Sequence, residues 1–102
     1  MNVKETGYRV SWRHEPPKKN TKMSSGNFKV LTDFHGASSC FIHKYVNGDK
    51  YDPLVSVGRV EVYYKDRFSK EQGRRHSMRR ALNNSDIPRN LWSQFWISYK
   101  NR

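Results

Sequence analysis

Residues 54 to 64, LVSVGRVEVYY, alternate apolar and polar side chains, with Val60, Val62 and Tyr64 set against Arg59, Glu61 and Tyr63. A period of two belongs to a β-strand with one buried face. A few residues later the pattern changes. Ser69 is followed three positions on by Gln72, the spacing of a capping box, and helix formers run from there to Leu82. A sheet face and a helix stripe each need a partner to bury against, so this switch in period points to helices packed on a sheet.

The flanking segments extend that reading. YRVSWRH, residues 8 to 14, puts Tyr8, Val10 and Trp12 on one side of a strand and Arg9, Ser11 and Arg13 on the other. Residues 15 to 27, EPPKKNTKMSSGN, hold two prolines and three lysines among small polar residues, which predicts a mobile basic loop. FKVLTDF and CFIHKYV read as two short strands with HGASS as the turn between them, and the Asn47-Gly48 pair predicts a tight hairpin. Val55 and Val57 are out of phase with Val60, so Gly58 is read as a bulge that switches faces. After NNSD, Pro88 falls in the first turn of a second helix, in which Ile87, Leu91, Phe95 and Tyr99 repeat every four residues to close the core. The expected fold is a single α+β domain over residues 1–102: a small antiparallel β-sheet of about four strands, followed by two C-terminal helices packed on it.

Charge speaks to partners. Twenty Lys and Arg stand against nine Asp and Glu, a formal net charge of +11, which attracts polyanions. Both halves of the chain share the excess, so it is not a basic tail on a neutral domain. The lone Cys40 cannot form an internal disulfide and fits a reducing compartment. No apolar run reaches the ~20 residues of a membrane span, and MNVKETGYRV lacks the apolar region of a signal peptide. A soluble, cytoplasmic protein is the expectation.

Seven of the basic residues lie between Lys65 and Arg80, in KDRFSKEQGRRHSMRRAL. On a helical wheel Phe68, Met78, Ala81 and Leu82 share the arc that should face the core. Arg79, His76 and Arg80 point away, and Gly73, Ser77 and Ala81 form a strip of small residues suited to close approach. Arg75 and Arg79 are four apart and repel unless an anion lies between them. The candidate contacts for a nucleic acid or acidic partner are therefore Lys70, Arg74, Arg75, His76, Arg79 and Arg80 on this helix. Arg59 and Tyr63 on the preceding strand and Trp96 on the last helix join them, with Lys18, Lys19 and Lys22 as a flexible arm.

A strand running into this helix, residues 60–82, resembles a pattern in small phage and prophage accessory proteins. Its positions here are Lys65, Asp66, Phe68, Lys70, Gly73, Arg74, Arg80, Ala81 and Leu82. Proteins of that size class include anti-CRISPR and other anti-defence inhibitors, which are single-domain binders without catalysis. The resemblance implies a binding protein acting on nucleic acid or on a host nucleoprotein or nuclease, in the host cell cytoplasm. It carries over no target and no functional residue.

Catalytic chemistry is sparse. His35, Cys40 and His43 lack a fourth ligand at a zinc spacing, and Asp49, Asp52, Glu61 and Asp66 show no paired-carboxylate motif for a metal-dependent nuclease. No cofactor, metal or catalytic residue is assigned. Direct binding to DNA or RNA as a regulator is the alternative to inhibition. A metal-free, toxin-like ribonuclease using His76 among arginines is a lesser one.

Overall fold

The computed structural model describes residues 1–3, 6–17, 35–44, 53–62, 67 and 69–102. They form a four-stranded antiparallel sheet in the order β1 (Asn2–Val3), β2 (Tyr8–Glu15), β3 (Ala37–Lys44) and β4 (Leu54–Glu61). Two helices follow, α1 (Lys70–Asn83) and α2 (Arg89–Lys100). The architecture is the α+β arrangement expected from the change of period.

Alternation decides which side chains meet the helices. Val10 pairs with Ile42, Trp12 with Cys40 and His14 with Ser38 across β2 and β3, and Ile42, Cys40 and Ser38 pair in turn with Ser56, Gly58 and Val60 of β4. These even-numbered positions line the covered face, where Val10, Cys40 and Ile42 are fully buried. Met78, Ala81 and Leu82 of α1 and Phe95 of α2 complete the core, together with Ile87 and Tyr99. Aromatic rings join α2 to β2. Tyr8 lies against Phe95 with ring centroids 5.8 Å apart, and Trp12 meets Tyr99 edge-on at 5.9 Å. Such tilted and edge-on pairs suit the ring quadrupoles.

The small strip on α1 sets how close the helix lies. A side chain at Gly73 would overlap Ser38, and one at Gly58 would overlap the backbone of Ser77 and Ala81. The Ser56 hydroxyl donates to the Ala81 carbonyl at 2.6 Å across the same contact. With no bulk between them, α1 lies flat on β3 and β4. Its N-terminus is capped as the spacing implies, by the Ser69 side chain accepting from the Gln72 N–H.

Three local expectations need correction. The register shift lies between Ile42 and His43, where His43 pairs with Leu54 and Val55 is the extra residue. Gly58 is therefore not a bulge: Val57, Arg59 and Glu61 stay on one face through it, and glycine is required there by the helix backbone. Ala37, Ser38 and Ser39, read as part of a turn, are strand residues buried in β3. Ser38 lies beneath α1 against Gly73, and its hydroxyl shares a 2.7 Å hydrogen bond with His14 Nδ1, so the polar group is satisfied. β1 was not anticipated, because two residues carry no readable period. The 28–34 strand, the hairpin at Asn47 and residues 18–27 of the basic loop lie outside the described residues, while Glu15 at the loop's expected start belongs to β2.

Candidate functional site

The flat docking of α1 leaves one long side of the helix facing away from the core, and the basic residues occupy it. Lys70, Arg75, His76, Arg79 and Arg80 are all exposed. Successive positions three and four apart stack along a helix surface, so Gln72, His76, Arg79 and Asn83 form one continuous stripe. This stripe is one wall of a groove of about 420 Å³ between α1 and the end of β4. The half-buried side chains of Val60 and Val62 form its apolar side, Ser38 lies at its base, and Arg67 and Ser69 stand at the end nearest the helix N-terminus.

Partners separate the cations into two groups. Arg74 is not part of the free set. It is half-buried and donates to Glu71 at 3.0 Å, while its Nε is buried without a hydrogen-bond partner. Glu71 also accepts from the Tyr99 hydroxyl at 2.6 Å and pairs with Arg102 at 3.3 Å, tying the start of α1 to the end of α2. The Tyr99 hydrogen bond, then Arg74, holds the Glu71 carboxyl below its ordinary range. Arg59 is likewise engaged, by Glu61 at 2.5 Å and Glu15 at 3.7 Å. Arg80 donates to the Arg59 carbonyl at 2.9 Å but has no carboxylate partner among the described residues. Among the described residues, Lys70, Arg75, His76 and Arg79 make no ion pair at all.

The remaining candidates are scattered. Trp96 is half-buried and meets Tyr99 edge-on at 6.2 Å, on α2 and away from the groove. Tyr63, Lys18, Lys19 and Lys22 lie outside the described residues. Sequence reasoning passed over Arg67, Gln72 and Asn83. The signal for the last two was present, since they continue the 76–79 stripe by one turn in each direction. His14, near the base of the groove, has its pKa lowered by burial first, then by Arg74 and Lys70, which favours the neutral ring. Cys40 and His43 project from opposite faces of β3, so they do not converge on a metal, and no cluster of three potential ligands occurs among the described residues. No helix among the described residues is long and apolar enough to cross a membrane.

No family model, curated protein or solved structure matches the chain.

Proposed function

We propose that this chain is a small basic, non-catalytic binding protein acting on nucleic acid or a nucleoprotein through the exposed side of α1. The phage-type resemblance of residues 60–82 suggests the setting, inhibition of host nucleic-acid-targeting defence of the anti-CRISPR kind. The observation that carries the reading is the pair of arginines left without carboxylate partners among the described residues: Arg75 and Arg79, one helical turn apart, with His76 between them and Lys70 on the turn before. Like charges at this spacing disfavour the helix by a few tenths of a kcal/mol each, roughly, and a bound polyanion reverses that sign. Phosphate contacts by such a stripe give affinity without sequence preference.

The test is a salt series on nucleic-acid binding by the wild type and by Arg75→Glu with Arg79→Glu. Log affinity should fall with log salt by about 0.9 per phosphate neutralised on a duplex, somewhat less on a single strand. The charge reversal should abolish binding at moderate salt while leaving the circular dichroism spectrum intact. A flat salt dependence, or a double variant that binds as well as wild type, rules the reading out. Pull-down from nuclease-treated host lysate then separates the two settings. A protein retained after digestion favours the inhibitor, and one lost on digestion favours direct binding.

A further inference from the structure

Resting on the reading above, we infer that the groove between α1 and β4 takes a single strand of nucleic acid, with its backbone along the helix wall and a base against Val60 and Val62. The two sides of the groove differ in chemistry in the way a strand requires. His76, Arg79 and Arg80 line the helix side, while Val60 and Val62 give an apolar surface opposite. Glu61, the carboxylate at its edge, is already neutralised by Arg59. Nucleotides present the same division, a charged backbone on one side and an apolar base face on the other, and single-strand sites combine a cationic track with a surface on which bases lie.

Size agrees. Gln72 and Asn83 are eleven residues apart, which at a rise of 1.5 Å per residue makes a wall about 16 Å long. At roughly 3.4 Å per stacked nucleotide that wall spans no more than about five, and fewer when the strand is extended. The 420 Å³ volume lies at the lower end of ligand-sized cavities, enough for a base or two and not for a duplex.

Helix placement argues against the duplex alternative. A recognition helix must project from its domain to enter a major groove about 12 Å wide. Here Gly73, Ser77 and Ala81 hold α1 against Ser38 and Gly58, and the end of β4 rises beside the cationic stripe. A duplex could touch only the outermost side chains, Arg75 and Arg79, whereas a strand can lie within the groove.

The experiment compares a fluorescein-labelled oligo(dT) and oligo(U) of about 12 nucleotides with a duplex of the same length at matched salt. Wild type should bind the single strands about tenfold more tightly than the duplex. Val60→Thr with Val62→Thr, which keeps charge and size but puts hydroxyls where the base is placed, should reduce that preference, and an unchanged preference overturns the inference. Equal or tighter duplex binding by the wild type overturns the inference without any variant. If the duplex wins but Arg75→Glu with Arg79→Glu still abolishes binding, the cationic face stands and only the groove is wrong. Failure of both oligonucleotides to bind overturns both, and directs attention to a protein occupant.

Discussion

The backbone of Ala81 in α1 lies directly against Gly58 in β4, so closely that no side chain fits between them. This contact fixes the height of the helix above the sheet. It thereby decides how far Arg75, His76 and Arg79 stand from the strand that faces them, and the depth of the groove follows from it.

Gly58→Ala should therefore be costly although the change adds a single methyl. The methyl would meet main-chain atoms of Ser77 and Ala81, which cannot rotate away. Overpacking of a close-packed core costs about 1–3 kcal/mol and sometimes more. Urea unfolding should show a lower midpoint with little change in slope, and an unshifted midpoint would mean that the helix can lift at no cost.

Acid should weaken the junction between the two helices. Tyr99, Arg74 and Arg102 all favour the ionised form of Glu71, so its pKa is lower in the folded chain than in the unfolded one. The stability from this group is full above the ordinary carboxylate range and is lost as pH falls through the depressed folded value. Urea midpoints measured from neutral pH downward should decline less steeply for Glu71→Gln than for wild type. Parallel declines would show that other carboxylates dominate.

Cys40 offers a probe of opening. It is fully buried on the covered face of β3, and desolvation pushes its thiol pKa up to about 12. The thiolate is the reactive form, so modification of the native protein by a disulfide reagent at neutral pH should be slow and should accelerate with denaturant in step with unfolding. Rapid labelling without denaturant would mean that α1 leaves the sheet locally.

Much of the frame was legible from single residues. The odd and even phases of β2 and β4, the Ser69 cap and the Gly73-Ser77-Ala81 strip each report a local rule, and local rules survive folding. Of the four-residue repeat, Phe95 and Tyr99 are buried in α2 and Leu91 is half-buried, whereas Ile87 is buried ahead of the helix, which starts at Arg89 with Pro88 as its cap and not in its first turn. What misled was apolarity taken for burial. Val55 and Val57 seemed to need the core, which made Gly58 look like a point of switching, yet both remain more than a third exposed. The strand is four-square with its partner at Gly58 and irregular at Val55 instead. Ser38 looked like a turn residue because nothing in sequence announces that His14 will supply a partner across the strand pair.

Within the candidate site the same limit applies to charge. The exposure of His76, Arg79 and Arg80 follows from the wheel alone. The engagement of Arg74 does not, because its surroundings include Tyr99 at the far end of α2 and Arg102 just beyond it, converging on Glu71. Arg59 likewise depends on Glu15 from a different strand. A count of cations along the helix therefore overstates what is available to a partner.

One pair of hydrogen bonds links the basic helix to the rim of the sheet. Among the described strands β4 is outermost, and two of its carbonyls, at Val57 and Arg59, are occupied by the side chains of Asn84 and Arg80. Unsheltered strand rims invite pairing with other chains, so these two side chains act as a guard. Any phosphate that drew Arg80 away would unlatch the Arg59 carbonyl, so occupancy of the basic face and exposure of that rim would rise together.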